Sequence, residues 1–477
     1  MAGAGRAGQD GVANGAAQAW APDLKRWGRP RYLAIVEALS EDIRTGRLLP
    51  GTRLPTQRAL AEVLALNFTT VSRGYVEAQK RGLIEGRVGQ GTFVADPSSR
   101  SARPAEAPRP GPVDFTMNLP PEPDQPALQA RMQASFAELS GSLANLLRYQ
   151  GFGGTEEDRD AATRWLAGRG IASQRERLLI CPGAHSALFG VLGQVARPGD
   201  VVCAERITYP GIRALAAHLG LRLVDLPMDQ HGVDPDAFAA ACTRIAPKAI
   251  YLNPLLQNPT TATIPRSRRE AIVAVARRYA VAIIEDDAYA QICPAPPPSF
   301  ATLAPEITYY VAGLAKSLGA GLRLAFLVAP SARAALPLGG ALRAMTVMAS
   351  PIATALATRW ITDGTAEAIV QFVRAESAAR QRLAASLLPA GSYVADPHGF
   401  HAWIRLPEGW TRSAFASQGR AAGLGVVASD PFCVAGTPPE AVRLCLGGPS
   451  TRAQISHGLE VLAHALEGSP ALASTYI

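Results

Sequence analysis

Residues 96–112 of this 477-residue chain read Asp-Pro-Ser-Ser-Arg-Ser-Ala-Arg-Pro-Ala-Glu-Ala-Pro-Arg-Pro-Gly-Pro, and they divide what the rest can fold into. Proline spacing keeps such a stretch extended and semi-stiff, so the flanking sequence must build separate cores. The chain is too long for one ordinary domain, and its 48% hydrophobic content supports large buried cores, so two or three domains are expected. We read residues 1–28 as a disordered leader, 29–96 as a small N-terminal domain and 97–112 as a linker. Residues 113–477 are read as a large domain, with a smaller C-terminal part from about residue 349.

The leader is Ala/Gly-rich without a continuous apolar run, and no stretch approaches the roughly 20 apolar residues of a membrane span. A cytoplasmic protein with no membrane partner is expected. Cys181, Cys203, Cys242, Cys293, Cys433 and Cys445 are scattered, with no C-x-x-C pair, so neither a metal site nor a disulfide framework is indicated.

From Pro30 onward Tyr32, Ile35, Val36, Leu39 and Ile43 recur at helical spacing, and Gly46 follows the end of that helix. After turn residues from Leu48 to Pro55, Thr56 can cap a short helix over 57–64, and Asn67 can cap another that carries Val71 and Tyr75 on its core face. Two short helices joined by a tight turn are the pattern of helix-turn-helix. Thr69, Thr70, Ser72 and Arg73 lie on the front of the second helix, as a major-groove reader requires. Residues 82–94 then alternate short apolar pairs with glycines, as a β-hairpin wing does. Between Asp23 and Asp96 twelve Lys and Arg face eight Asp and Glu, a net +4. Charge alone leaves open a small helical subdomain with a solvated face, because DNA binding depends on where the charges lie.

The long C-terminal part alternates apolar strands with amphipathic helices to about Met348. In Tyr310-Val-Ala-Gly-Leu-Ala-Lys316-Ser-Leu-Gly-Ala-Gly-Leu-Arg323-Leu-Ala-Phe-Leu-Val-Ala329, a strand feeds a Gly-rich loop and a second strand. A lysine held among apolar groups near a fixed cation has its free amine favoured, which suits addition to an aldehyde; alone, Lys316 reads first as a solvated loop residue. Val281-Ala-Ile-Ile-Glu285-Asp286-Asp287-Ala-Tyr289 is a buried parallel strand ending in carboxylates, where α/β sheets gather ligands. Arg159, Arg268, Arg269, Arg277 and Arg278 sit in helical charged patterns and read as solvated, and His401 as a core histidine.

Two resemblances follow from these residues. Pro50-Gly-Thr-Arg-Leu-Pro-Thr-Gln-Arg58, Thr69-Thr-Val-Ser-Arg-Gly-Tyr75 and Gly86-Arg-Val-Gly-Gln-Gly-Thr-Phe-Val94 resemble the winged-helix DNA-binding domain of GntR-type bacterial regulators. The order and spacing of the C-terminal motifs resemble the aspartate aminotransferase fold, fold type I of the pyridoxal 5'-phosphate enzymes. The tandem is similar to MocR-type transcriptional regulators. It implies a multi-domain fold: an N-terminal winged helix, then an α/β fold type I large domain with a smaller α+β domain.

By resemblance, Arg53, Gln57, Arg58, Thr69, Thr70 and Arg73 face double-stranded operator DNA, with Gly91 at the wing tip. Lys316 corresponds to the catalytic lysine that forms the internal aldimine, and Asp286 to the partner of the pyridine nitrogen. Tyr289 and Asn258 correspond to the groups on the phenolic oxygen, and Arg323 to the phosphate arginine. Gly183, Ala184 and His185 form the phosphate cup at a helix N-terminus, where an anion is favoured. Ser317 adds to that phosphate site, Tyr209 stacks on the ring, and Tyr149 reaches the phosphate of a second copy in a homodimer. Arg443 pairs with the carboxylate of a small amine or amino-acid effector. The family's Asn-Pro-Thr-Gly ends here in Thr261, and Gly313 and Ala315 replace hydroxyls near the lysine. A cofactor-dependent regulator is expected; an active aminotransferase with a fused DNA reader is the alternative, and a cofactor-free dimerisation module the third reading.

Overall fold

A computed structural model describes residues 20–27, 30–87, 91–95 and 113–468. The linker expected over 97–112 and the first nineteen residues of the leader lie outside the described residues. Two compact units are formed, Met1–Arg109 and Pro110–Ile477.

In the first unit, α1 (Arg31–Arg44), α2 (Gln57–Leu64) and α3 (Phe68–Lys80) precede an antiparallel pair, β1 (Ile84–Arg87) and β2 (Gly91–Val94). Thr56 accepts from the Ala59 amide to cap α2, and Asn67 accepts from that of Thr69 to cap α3, each satisfying a donor the helix cannot. Gly74 lets α3 approach α1, since a Cβ there would lie 3.2 Å from the Tyr32 carbonyl. Ile35, Leu39, Leu60, Val71, Tyr75 and Val94 form the core. The disordered-leader expectation fails for residues 20–27: Leu24 is buried, and Trp20 Nε1 donates to Asp42 at 2.9 Å. Their apolar side chains add to a core too small to spare them.

The second unit begins with β3 (Val113–Asp114). Then come β4 (Leu178–Cys181), α4 (Ala184–Val195), β5 (Val201–Glu205), α5 (Pro210–His218), β6 (Arg222–Leu226) and β7 (Ala249–Leu252). They are followed by α6 (Arg266–Tyr279), β8 (Ala282–Asp286), β9 (Thr308–Gly313) and β10 (Ala325–Val328). The seven-stranded sheet has the order β4-β10-β9-β8-β7-β5-β6. Only β10 runs against its neighbours. Both faces are covered, so adjacent apolar residues of one strand enter different cores: Ile284 packs with Leu188 and Val191, Ile283 with Phe238 and Ile272.

Beyond the sheet lie α7 (Pro351–Thr362), α8 (Thr365–Leu387), β11 (Tyr393–Ala395), β12 (His401–Arg405), β13 (Leu424–Gly425), β14 (Val427–Ala428), β15 (Ala441–Cys445) and α9 (Arg452–Glu467). Four of these strands make a second sheet, β11-β12-β15-β14, and β13 pairs in parallel with β3. The helix α8 belongs to both layers: Ile369 and Val370 enter the large core, while Ala384 packs with Phe115, Leu444 and Leu459 in the small one. The residues just after 112 therefore open the smaller layer, although they lie nearly three hundred positions from its other strands.

Arg269 corrects the reading of a solvated helix face. It is fully buried, pairs with Glu285 at 3.3 Å and donates to the carbonyls of Pro254, Ile264 and Pro298. Arg268, one residue earlier, turns to Asp229 at the surface. His401 is a core histidine as read, its Nε2 3.1 Å from the Gln257 carbonyl, and burial pulls its pKa down to about 3.

Candidate functional site

The carboxyl ends of the parallel strands meet at one rim, and antiparallel β10 brings its amino end to the same place. That explains why residues scattered over 140 positions converge. Lys316 follows β9, Asp286 ends β8, Asn258 follows β7, Tyr209 follows β5 and Gly183 follows β4, while Arg323 precedes β10. With Ala184, His185, Tyr289 and Arg443 they line a cavity of about 360 Å³ that opens to solvent.

Asp286 is buried; Tyr251 donates to its Oδ2 at 2.8 Å, and Oδ1 has no partner. Burial lifts its carboxyl to about 6, with Asp287 pushing the same way. Burial also pulls the Lys316 ammonium down to about 8, against Cys445 and Asp286 and aided by Arg443 and Arg323. Lys316 Nζ donates to the Asn118 carbonyl, and Asn118 Nδ2 donates to the Tyr289 hydroxyl at 2.8 Å. Arg443 Nη1 donates to Asn258 Oδ1 at 3.0 Å and Nη2 to the Thr116 carbonyl, while the buried Nε has no partner.

At the opposite wall Gly183, at φ +86°, opens α4, and a Cβ there would lie 3.3 Å from the Arg323 guanidinium. Only glycine lets that cation come so close to the helix N-terminus. His185 Nε2 lies 2.6 Å from the Tyr209 hydroxyl, the rings edge to face over Gly211. One expected member is not brought in: Ser317 is buried against the Leu314 carbonyl and lines a neighbouring groove. Tyr149, expected at the phosphate of a second copy, is 85% exposed.

In the first unit Arg53, Arg58, Thr69 and Arg73 are exposed, and Gln57 and Thr70 half-buried. The Thr69 hydroxyl is held by Asn67 at 2.9 Å, and the Arg73 guanidinium lies 4.2 Å over the Tyr32 ring. Gly91 has φ +114°, and a Cβ on it would meet Arg53 Nε at 3.2 Å, so the wing and Arg53 adjoin. The hairpin tip, 88–90, lies outside the described residues.

Residues 112–462 match the sequence profile of aminotransferases of class I and II, and residues 31–94 that of the gntR family of bacterial regulatory proteins. The chain belongs to the class I and II aminotransferase family. Its GntR-type winged helix-turn-helix followed by a fold type I aminotransferase domain is the MocR-type plan. An HTH-type transcriptional regulator of Bacillus subtilis, YdeF, is 28% identical over 94% of this chain and 97% of its own. The probable rhizopine catabolism regulatory protein MocR of Rhizobium meliloti is 26% identical over 63% of this chain and 66% of its own. Among solved structures, the α-aminoadipate aminotransferase LysN of Thermus thermophilus, complexed with N-(5'-phosphopyridoxyl)-L-leucine, superposes with a TM-score of 0.69. That match is at 26% identity, over 76% of this chain and 94% of that one.

Aminotransferases of this class use pyridoxal 5'-phosphate, and the aminotransferase cavity here fits it. A buried carboxylate oxygen lacks a partner, an arginine and a glycine-opened helix N-terminus converge, and burial makes a lysine easier to deprotonate. Sequence reading missed Tyr251, Asn253, Thr116 and Asn118. Tyr251 and Asn253 stand on β7 and just after it, and the pairing of β7 with the strand that ends in Asp286 was their only signal. Thr116 and Asn118 act partly through backbone carbonyls, which no side chain announces.

Proposed function

We propose that this DNA-binding regulator senses an amine or amino acid through cofactor held at Lys316, and does so as a cytoplasmic homodimer. The observation that carries the reading is a lysine amine, a half-partnered carboxylate and a buried arginine in one cavity of a chain that begins with a winged helix. Bound pyridoxal phosphate supplies an aldehyde that condenses with amines and a ring that withdraws electrons. Lys316 Nζ would be the amine that holds it, in competition with an incoming amine. Asp286 Oδ1 would hold a proton on the ring nitrogen, Arg323 and the start of α4 would bind the phosphate, and Tyr209 would lie beside the ring. Arg443 offers its fork to a carboxylate once Thr116 and Asn258 give way.

Occupancy of this site disturbs a specific segment. Thr116 and Asn118 accept from Arg443 and Lys316, so a ligand engaging those two side chains removes two of the hydrogen bonds that hold residues 116–118. Such a ligand shifts a two-state equilibrium by its different affinity for the two states. The exposed Tyr149, Leu147 and Leu336 support assembly with a second copy, and a two-fold reader suits repeated half-sites.

DNA footprinting of the cofactor-loaded protein with candidate amines tests the reading. Lys316→Ala should bind operator yet lose the response to amine, and an unchanged response in that variant excludes Lys316 as the sensor. The likeness to LysN favours a second reading, an aminotransferase with a fused DNA reader. Turnover with an oxo-acid acceptor at about 1 per second or faster would put that reading first.

A further inference from the structure

Glu205, at the carboxyl end of β5, is fully buried and has no basic partner among the described residues. Its Oε2 accepts from the Asn253 amide at 3.4 Å and from Gln257 Nε2 at 3.3 Å, and Oε1 has no partner. These two residues organise the turn that carries Asn258. Asn253 donates through Nδ2 to the Asp286 carbonyl at 2.7 Å and accepts the Asn258 amide at 2.9 Å. Gln257 donates to the Ile207 carbonyl at 2.6 Å and receives both the amide and the hydroxyl of Thr260. Glu205 thus stands behind the turn on which both the Asp286 backbone and Asn258 depend.

We propose that Glu205 is a positioning residue that acts as a neutral carboxylic acid, fixing the 253–258 turn behind Asp286 and Asn258. An ionised carboxylate buried without a cation costs several kcal/mol, so the group keeps its proton instead. The surroundings agree. Tyr251 on β7 interacts with Glu205 directly, while Asp286 on β8 and His401 on β12 meet its partners Asn253 and Gln257, and none of the three is a cation near neutral pH. Arg206, the next residue, is spent on Asp225 at the surface, 2.8 Å away. Burial pushes the Glu205 carboxyl up to about 8, against the donors Gln257 and Asn253.

The sign of the pH effect follows. Between the ordinary carboxylate range and about 8 the folded protein holds a proton that the unfolded chain has lost, so the Glu205 contribution to stability falls as pH rises and is level above 8. Glu205→Gln keeps the shape and an acceptor without a titrating group. The inference rests on the cofactor site proposed above, so the first measurement is made without cofactor. The Tm of the cofactor-free full chain is followed against pH for wild type and Glu205→Gln. The difference in favour of the Gln variant should grow from about pH 5 to about 8 and then stay constant; a pH-independent difference overturns the neutral-acid assignment.

The second measurement is pyridoxal phosphate affinity by absorbance titration at neutral pH. Glu205→Gln should stay within about twofold of wild type, and Glu205→Ala, which strands two buried donors, should lose roughly tenfold or more. Equal affinity of Glu205→Ala and wild type overturns the positioning role. If Glu205→Ala does not fold, Glu205→Met takes its place with the same expectation, and a tenfold loss in Glu205→Gln overturns the neutral-acid assignment. Should none of the proteins bind pyridoxal phosphate, the cofactor site fails as a reading, while the unfolding comparison still decides the protonation of Glu205.

Discussion

The Tyr251 hydroxyl holds Oδ2 of Asp286 at 2.8 Å and leaves Oδ1 for the cavity. The protein thereby orients the carboxylate with one oxygen and presents the other. It also counters part of the burial that lifts the carboxyl to about 6. Cofactor affinity, titrated by absorbance against pH, should fall as Asp286 takes up its proton below about 6. Tyr251→Phe removes a hydrogen bond to a charged group, about 1.5 to 3 kcal/mol, and should move the fall to higher pH. Superimposable pH curves would show that Tyr251 does not act on Asp286.

Arg443 is already engaged by Asn258 and Thr116, so its loss is read best by comparing ligands. Arg443→Gln should weaken the spectral response to amines bearing a carboxylate by roughly 10- to 100-fold. Amines lacking a carboxylate should titrate as in wild type. An equal loss for both classes would mean that Arg443 shapes the cavity and does not grip a ligand.

The wing joins the reading face through Arg53 and Gly91. Gly91→Ala places a side chain at φ +114° and against Arg53, so operator affinity should drop while the unit's circular dichroism is kept. For Arg58→Ala and Arg73→Ala the salt dependence separates roles. Loss of a phosphate contact lowers the salt slope by about 1, and loss of a base contact costs about 1 to 3 kcal/mol at one operator position. Three variants that bind as wild type does at moderate salt would remove this face from the DNA.

Arg269 and Glu285 form a buried ion pair beneath the β8 end, where burial itself weakens the guanidinium's hold on its proton. Removing one partner strands a charge, so Arg269→Leu should lower unfolding free energy by about 3 to 5 kcal/mol. Adding Glu285→Leu should recover much of that loss. Urea midpoints of the two variants check it; no recovery would make packing, not charge, the reason.

Much of this molecule is legible from short-range rules. Caps at Thr56 and Asn67 mark helix starts because they satisfy local donors, and the continuous apolar runs before Asp286 and Lys316 mark buried strands. What escapes is side-chain choice across distance. Arg268 and Arg269 are adjacent in one charged pattern, yet the helix turns one to water and the other inward, where carbonyls from three segments await it. Glu205 reads as the last residue of a strand, and only the fold shows that nothing cationic among the described residues meets it. The pairing of Val113 with Leu424 is equally invisible, because two residues of ladder leave no periodicity to find.

That pairing has a mechanical meaning. The polypeptide coming from the DNA reader is fastened, at the first two described positions of the second unit, to the smaller layer and not to the broad sheet. A shift of the smaller layer therefore acts directly on the residues that open the second unit, whereas a shift confined to the broad sheet does not.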